Sequence, residues 1–480
     1  MVNVKLNLSN YEYDVHSLVK SFYPEESVKV YSPDTKAQEP EEFQVEILIE
    51  ECSASISFPE EEEASHWVYT EADGKFKDGF KRFLYRSLSK VTGKELPWGN
   101  LTGIRPTKLA YGMLDEGKTT EEIVDFLKES HYVSVEKSLL SIDIARREKE
   151  LLSHLHYEGG YSLYVGIPFC PTTCLYCSFT SYAIAAYRQV VEEYVDCLIK
   201  EMDYVSRRYA HKILDTVYIG GGTPTTLEAE QLDRLITALK EKFDFSTVQE
   251  FTVEAGRADS ITREKLEVLY KHGVTRISIN PQTFKQETLQ MIGRRHTVEQ
   301  VIEAYHMARE IGFKNINMDL ILGLPGELEE DVQRTIDKVV ELAPDSLTVH
   351  SLAIKRASKL SQWIMENGVK TLHNTDETMK IAAQGAKELS MEPYYLYRQK
   401  NMSGNFENVG YAVPGKFGIY NILIMEEKQT IVACGAGSIT KIVLPDGRIE
   451  RCDNVKDVKL YIEKIDEMVK RKEELFSLEK

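Results

Sequence analysis

Residues 164–182 read YVGIPFCPTTCLYCSFTSY, and this stretch holds three of the seven cysteines of the chain. Cys170, Cys174 and Cys177 directly follow an apolar run that is typical of a strand. Buried structural thiols have no physical reason to cluster, whereas the thiolate ligands of a metal centre do. The spacing Cys-x-x-x-Cys-x-x-Cys therefore indicates a loop that binds metal.

Two kinds of metal centre agree with three cysteines in one loop. Three thiolates can bind three irons of a 4Fe-4S cluster and leave the fourth iron open to a chelating ligand. A zinc site would need a fourth, remote ligand, and zinc sites usually pair two short Cys or Cys/His hooks. Because the sequence has no second hook of that kind, the cluster is favoured. The other cysteines are typical of packing thiols: Cys52, Cys197, Cys434 and Cys452.

Chain length and net charge limit the classes of protein to which this sequence can belong. A chain of 480 residues suggests two or three domains. The net charge of -17 argues against a general nucleic-acid binder. No apolar run approaches the roughly 18–20 residues of a membrane span, and the first residues lack the pattern of a secretory signal. The odd cysteine count suits a reduced cytosol. We therefore expect a cytoplasmic protein with no membrane span and no nucleic-acid partner.

The order of strand-like and helix-like segments predicts three regions. Residues 1–150 have the pattern of an α/β or α+β accessory domain, whose role the sequence does not reveal. In residues 151–390, six short apolar strands alternate with amphipathic helices, which predicts a parallel sheet with right-handed crossovers. Six repeats are too few for a closed eight-fold barrel, so we predict an α/β fold with an open partial (βα)6 barrel. Residues 391–480 predict a small α+β domain, with a hairpin over residues 418–437, that closes over the barrel.

Several polar or glycine-rich positions follow the predicted strands. Gly220–Pro224 follows the second strand, and glycines there would let the backbone approach a ligand closely. Glu254, Gln282 and Asp319 end or follow later strands, and Arg294 precedes a helix. Each also has an ordinary explanation as a cap, a turn or a solvated charge. Because ligands of parallel sheets bind beyond the carboxyl ends of the strands, together these residues fit a ligand with carboxylate, amine and ribose groups.

At the level of motifs, the chain resembles the radical S-adenosylmethionine (SAM) superfamily. The resemblance lies in the cysteine loop, the Gly220–Pro224 turn and the segments RISINPQTF, IGRRHT and GFKNINMDLILGLPGE. More narrowly, these motifs are similar to the oxygen-independent coproporphyrinogen III oxidase group, which includes a heme chaperone branch. The segments WGNLTGIRPTK at 98–108 and YLYRQKNMSGNFENVGY at 395–411 resemble the HemZ-type coproporphyrinogen dehydrogenase branch in particular.

The resemblance implies a cofactor pair and its contacts. Cys170, Cys174 and Cys177 would ligate a 4Fe-4S cluster, whose fourth iron would bind the amino and carboxylate groups of SAM. The implied SAM contacts are Tyr164 near the cluster, Gly221, Gly222 and Thr223 at the amino-acid end, Arg294 at the carboxylate, and Glu254, Gln282 and Asp319 at the polar and ribose groups. Two positions depart from the family pattern. Gly166 replaces a histidine, and Phe179 replaces the fourth cysteine of the oxidases, as in the chaperone branch.

The implied activity is the oxidative decarboxylation of coproporphyrinogen III to protoporphyrinogen IX in heme biosynthesis. A radical derived from SAM would abstract a hydrogen from a propionate, and loss of carbon dioxide and one electron would leave a vinyl group. The implied partners are the porphyrinogen and an electron donor such as flavodoxin or ferredoxin, and the protein would act as a monomer. On sequence position, the candidates for binding the propionates are Lys355, Arg356, Arg398 and Lys400.

Two other functions stay open at this point. The chain could be a heme-binding chaperone of the same family without decarboxylase activity, which the phenylalanine at position 179 favours. It could also be a radical SAM enzyme that acts on another substrate, such as a methyltransferase or an enzyme that opens the heme ring.

Overall fold

The computed structural model describes residues 1–24, 26–103, 105–157, 159–355, 358–368, 372–399, 402 and 406–479. The chain forms two compact units. The first unit consists of Met1–Arg147, Ile364–Leu372 and Leu396–Asn408. The second unit consists of Glu148–Trp363, His373–Tyr395 and Val409–Lys480. The domain boundaries expected near residues 150 and 390 stay predictions.

The first unit contains a five-stranded mixed sheet with two helices against it. The strands are β1 Val2–Leu6, β2 Val28–Tyr31, β3 Val45–Ile49, β4 Ser53–Ser57 and β5 Ser65–Val68. The helices that begin in this unit are α1 Glu12–Phe22, α2 Phe76–Thr92, α3 Thr107–Asp115, α4 Thr120–His131 and α5 Val135–Leu152. The strand order is β2-β1-β3-β4-β5, with β1 parallel to both of its neighbours and β3, β4 and β5 antiparallel. Apolar residues of α1, α2 and the sheet form one core, because their spacing puts them on one face of each element.

Two segments that are distant in sequence meet inside the first unit. The indole N–H of Trp98 donates to Glu407 over 2.7 Å, and Lys137 forms a 2.6 Å ion pair with the same carboxylate. The Arg398 guanidinium lies 5.9 Å from the centre of the Trp98 ring. The Glu407 side chain is only 1% exposed, and a buried carboxylate is costly unless its charge is paired. The ion pair with Lys137 therefore allows Glu407 to be buried. Trp98, Arg398 and Glu407 therefore lie together in the first unit.

Six parallel strands with intervening helices form the centre of the second unit, as the sequence predicts. The strands, in sheet order, are β6 Gly160–Ile167, β9 Ile213–Gly221, β10 Glu250–Gly256, β11 Arg276–Ile279, β12 Ile316–Leu322 and β13 Ser346–Ser351. Two short strands, β7 Phe169–Cys170 and β8 Tyr182–Ala183, pair with each other. The helices from β8 onward to β13 are α6 Val191–Arg208, α7 Ala229–Lys242, α8 Arg263–Lys271, α9 Gln286–Met291, α10 Val298–Ile311 and α11 Glu329–Leu342.

Further strands extend this sheet at both edges. One edge carries β14 Glu392–Tyr397 and β15 Asn408–Ala412, and the other carries β16 Thr430–Cys434, β17 Ile439–Val443 and β18 Ile449–Asp453. The remaining helices are α12 Leu360–Asn367, α13 Asp376–Glu388, α14 Ile419–Glu426, α15 Val458–Glu463 and α16 Ile465–Phe476. No helix of the described residues is long and apolar enough to cross a membrane.

The hairpin expected over residues 418–437 was wrong. The first half of this segment is helix α14, and the second half is β16, which pairs in parallel with β6. The β-branched residues of the segment favour a strand, but the backbone N–H of Ile419 donates to the buried carboxylate of Glu250 over 2.5 Å. A carboxylate at a helix N-terminus satisfies a free N–H group and stabilises the helix, and this distant contact outweighs the local preference.

A buried ion pair connects α6 to the C-terminal helix α16. Lys472 lies 2.6 Å from Glu201, and both side chains are 0% exposed. The same carboxylate accepts hydrogen bonds from Asn454, Tyr461 and the backbone N–H of Gly435, over 2.6 to 2.8 Å. Glu201 therefore joins three C-terminal segments to the barrel.

We predict that Lys472→Met destabilises the protein by about 3–5 kcal/mol, because it leaves the Glu201 charge buried and unpaired. The double variant Glu201→Gln/Lys472→Met should lose less, since no charge is then buried. Chemical denaturation checks both values. The matched control is Lys200→Met on α6, the helix that carries Glu201; its partner Asp466 is 84% exposed, and the change should cost less than about 1 kcal/mol. Equal losses in Lys472→Met and in the control would contradict the prediction.

Candidate cofactor site

The cysteine loop is held in place by hydrogen bonds on both of its sides. Thr172 Oγ1 donates to the Gly293 carbonyl over 2.7 Å. The backbone N–H of Leu175 donates to the Ile292 carbonyl over 2.9 Å, and the Leu175 carbonyl accepts from Leu360 over 3.0 Å. The loop is therefore ordered by neighbouring loops at the carboxyl ends of the barrel strands.

The three thiols of this loop are free and suit a metal cluster. Burial raises the pKa of Cys170 to about 11 and also raises the pKa of Cys177, so the fold by itself disfavours their thiolate forms. A bound metal centre supplies the positive charge that deprotonates such thiols. The Arg257 guanidinium also donates to Cys174 Sγ over 3.7 Å. Within the described part of the chain, no group of three Cys, His, Asp or Glu side chains is arranged to hold a single metal ion.

The glycine turn after β9 lies directly against the cysteine strand. The backbone N–H groups of Gly222 and Thr223 donate to the carbonyls of Ile167 and Phe169, each over 2.7 Å. A Cβ atom on Gly222 would lie 2.5 Å from the Phe169 carbonyl oxygen and 3.0 Å from Cys170 Sγ. Only glycine therefore allows this approach, which fixes the position of the first cysteine.

The burial pattern of the barrel strands shows where a ligand can enter. Apart from Ile213 at the start of β9, each of β6, β9, β10, β12 and β13 has one residue that is not fully buried. Four of these residues have side chains on one face of the sheet by the strand registers, and we call them the lumen row: Tyr164, Glu254, Asp319 and His350. Gly221 pairs with Ile167 and lies on the opposite face, outside the row. The sequence predicted the first three residues of the row as site residues.

Gln282 adjoins the lumen row. Its backbone N–H donates to the Asp319 carbonyl over 2.9 Å, and its carbonyl accepts from Ile321 over 3.0 Å. Its φ of +68° is rare for a residue with a side chain, and the structure meets this cost with the two hydrogen bonds. The buried side-chain oxygen Oε1 has no hydrogen-bond partner among the described residues. An unsatisfied buried acceptor of this kind fits a ligand that donates a hydrogen bond.

Arg294 lies against the cysteine loop and not in the lumen row. Its guanidinium donates to the Asn280 carbonyl over 2.6 Å and to the Tyr176 hydroxyl over 3.2 Å. The Nε atom is buried without a partner among the described residues. Arg294 therefore puts a buried positive charge beside the loop that carries the three cysteines.

The two carboxyl groups of the lumen row differ in charge near neutral pH. Enclosure in the barrel raises the pKa of Glu254 to about 7, although a hydrogen bond from Tyr218 opposes this shift. Burial also acts against ionisation of Asp319. However, His350, whose Nε2 atom is 3.9 Å away, and a 2.7 Å hydrogen bond from Asn317 outweigh it, so the pKa of Asp319 lies below its ordinary value. The row thus offers one permanent anion and one group that titrates near pH 7.

Three tyrosine rings stack on one another inside the barrel, and one of them is the lumen-row residue Tyr164. The Tyr218 ring centroid lies 4.4 Å from that of Tyr420 on α14 and 6.1 Å from that of Tyr164. The hydroxyl of Tyr218 donates to Glu254. The stack fills the barrel beneath the carboxyl group and excludes water from that side.

Sequence reasoning missed three residues of this site. Tyr218 lies two positions before Gly220 and shares its face of β9, and His350 is the polar interruption in the apolar strand β13. The alternation of strand faces could have indicated both. Nothing local to Arg257 marks it, because its contact with Cys174 joins segments that are 83 residues apart.

The cations proposed for the propionates fall in different places. Lys355 belongs to the second unit, where its ammonium lies 5.4 Å from the centre of the Phe179 ring. Arg398 belongs to the first unit and is buried there over Trp98. Arg356 and Lys400 lie outside the described residues.

Comparison with known proteins agrees with this geometry. Residues 164–339 match the model of the Radical SAM superfamily, and these residues carry the cysteine loop and most of the lumen row. Over 460 residues, the chain is 40% identical to the oxygen-independent coproporphyrinogen-III oxidase-like protein HemZ of Bacillus subtilis, which covers 92% of each chain. The chain belongs to the HemZ-like family of radical SAM proteins. The cofactors of the radical SAM domain are a 4Fe-4S cluster and SAM, in agreement with the prediction.

Other relatives carry two different names. The heme chaperone HemW of Lactococcus lactis is 33% identical over 278 residues, which span 58% of this chain and 68% of the relative. The solved structure of coproporphyrinogen III oxidase (HemN) from Escherichia coli, a radical SAM enzyme, superposes with a TM-score of 0.53. It is 24% identical and covers 69% of this chain and 73% of its own. This likeness supports the fold of the HemZ-like chain and not its activity.

We predict that Gly222→Ala impairs cluster assembly, because the added methyl group would displace the Phe169 carbonyl or Cys170 Sγ. After anaerobic reconstitution, the variant should hold roughly half or less of the iron bound by the unchanged protein. Iron and sulfide analysis measures this, and circular dichroism verifies the fold. Gly159→Ala is the matched control, since a Cβ there meets nothing within 4 Å. Full iron content in Gly222→Ala would contradict the prediction.

Proposed function

We propose that this protein catalyses the oxygen-independent oxidative decarboxylation of coproporphyrinogen III to protoporphyrinogen IX. The observation that carries the proposal is the similarity to a coproporphyrinogen-III oxidase-like protein across 92% of both chains, since it spans both compact units. A lumen row with two carboxyl groups beside a three-cysteine loop supports it. The proposed substrate is thus a porphyrinogen, and a flavodoxin or ferredoxin would supply electrons to a cytoplasmic monomer.

Each predicted site residue has a proposed role. Cys170, Cys174 and Cys177 ligate the cluster, and the proposed SAM contacts are Tyr164, Gly221, Gly222, Thr223, Glu254, Gln282, Arg294 and Asp319. When bound, the cluster and SAM supply the one-electron chemistry that removes a hydrogen atom from the substrate.

The protein groups then orient the cofactor and exclude water. Glu254, once ionised, accepts a hydrogen bond from the amino group of SAM, and Asp319 accepts hydrogen bonds from ribose hydroxyls. The side-chain oxygen of Gln282 accepts a further hydrogen bond from the ligand. The stacked tyrosines keep solvent away from the amino end of the lumen, which strengthens these polar contacts.

A second candidate function is a heme chaperone that uses the same cofactors without decarboxylation. Two observations favour it. The HemW relative of Lactococcus lactis matches 58% of the chain, and position 179 carries phenylalanine where the oxidases carry a fourth cysteine. The names of the relatives do not separate the two functions, so the assay must.

The decisive experiment is an anaerobic assay of the cluster-loaded protein with SAM, a strong reductant and coproporphyrinogen III. We expect protoporphyrinogen IX together with 5′-deoxyadenosine, and loss of both in Cys174→Ala. Formation of 5′-deoxyadenosine with an unchanged porphyrinogen would contradict the decarboxylase proposal. In that case a heme titration of the same sample tests the chaperone function, which requires stoichiometric binding.

We predict that the affinity for SAM depends on pH through Glu254. Its pKa of about 7 means that the carboxylate, which accepts the hydrogen bond from the amino group of SAM, forms as pH rises through neutrality. Between pH 6 and pH 8, SAM should therefore bind about tenfold more tightly to the cluster-loaded protein. Anaerobic equilibrium dialysis measures this. Glu254→Gln should bind weakly with a flat profile, whereas the exposed control Glu230→Gln should keep the slope. An equally steep profile in Glu254→Gln would assign the titration to another group.

A further inference from the structure

A large apolar side chain is exposed beside the cysteine loop. Phe179 follows Cys177 by two residues, and it is 72% exposed. Its ring is therefore not part of the core, and burial of that ring by the fold contributes little to stability. Exposed aromatic side chains next to a ligand site are typical of surfaces that a ligand covers.

A lysine ammonium lies over this ring. Lys355 Nζ is 5.4 Å from the Phe179 ring centroid, a distance at which a cation is attracted to an aromatic face. Among the described residues, Lys355 forms no ion pair with a carboxylate. A half-buried ammonium without an acidic partner is a binding site for an anionic group.

The position of this pair relates it to the lumen. His350 is in register with Ile321 on β12, whereas Asp319 is in register with Thr348, so His350 lies two residues nearer the carboxyl end. The chain continues from His350 to Lys355 beyond that end. Phe179 likewise follows the last of the three cysteines. Both members of the pair therefore stand at the side of the sheet where the lumen row opens.

We infer that Phe179 and Lys355 form a substrate subsite, in which the Phe179 ring packs on one pyrrole ring and Lys355 binds the carboxylate of its propionate. The inference rests on the proposed function, because that function supplies a substrate with both groups. It assigns a role to Phe179, the residue that stands where the oxidases have a fourth cysteine. The pair recognises an aromatic or pyrrolic face and an anion together.

The test is a binding titration, independent of turnover, with coproporphyrin III as the stable, oxidised probe. It is added anaerobically to the cluster-loaded protein with SAM, and its tetramethyl ester serves as the uncharged probe. Unchanged protein should prefer the free acid. Lys355→Met should weaken binding of the acid about tenfold and leave the ester unaffected, because only the carboxylate contact is lost. Phe179→Ser should weaken both probes by a similar factor, because it removes the packing surface.

Conservative variants and a matched control exclude general damage. Lys355→Arg and Phe179→Trp keep the charge and the aromatic face, so each should bind the acid within about threefold of the unchanged protein. Lys314→Met, at an exposed lysine of the same unit, should have no effect on either probe. Iron content and SAM binding are measured in every variant, and they should not change.

The outcomes separate this inference from the proposed function. If the unchanged protein converts coproporphyrinogen III and both Lys355→Met and Phe179→Ser bind the probes normally, the subsite is refuted and the function stands. If the unchanged protein binds neither probe and produces no protoporphyrinogen, the proposed function fails, and the subsite with it. If Lys355→Met weakens the acid and the ester equally, the carboxylate contact is refuted.

Discussion

The site of this protein depends on the close approach of two backbone segments, the end of β6 with the cysteine strand on one side and the glycine turn after β9 on the other. Gly222 and Thr223 donate hydrogen bonds to that strand, and a side chain on Gly222 would overlap Phe169 and Cys170. Through this contact, the position of the first cysteine is set by the parallel sheet itself and not by a flexible loop.

A second contact, from the C-terminal region, fixes the same loop at its other side. A Cβ on Gly435 would lie 2.5 Å from the Gly166 carbonyl oxygen, and one on Gly437 would lie 2.7 Å from Thr180 Oγ1. A Cβ on Gly166 would itself be 3.2 Å from the Cys434 carbonyl oxygen. Close backbone packing thus accounts for glycine at position 166, where the family pattern has histidine. The buried Glu201 holds the Gly435 backbone in this place.

Most strand positions in a parallel sheet are apolar, but this barrel has polar residues on the inner face of its strands. Glu254 and Asp319 face the lumen, and the tyrosine stack closes it beneath them. Polar groups in such an enclosed space are costly unless they are paired, which is why Tyr218 and His350 accompany the two carboxyl groups. Asp319 is therefore ionised near neutral pH, whereas the pKa of Glu254 is close to 7. A cationic ligand that binds beside Glu254 favours the ionised form of this carboxyl group.

The sequence by itself determined the partial barrel and the cysteine loop, and it predicted as site residues three of the four that the structure places in the lumen row. These features follow from local patterns in the sequence, namely strand and helix periodicity, cysteine spacing and polar residues at strand ends. Only the tertiary structure determined that residues 419–426 form a helix, that the His350 imidazole lies beside the Asp319 carboxylate, and that the Glu407 carboxylate accepts a hydrogen bond from Trp98. Each of these depends on a buried polar group whose partner is distant in the chain, and local periodicity holds no information about such a partner. A buried polar group needs a hydrogen-bond or ion-pair partner, and the tertiary fold determines which residue that partner is.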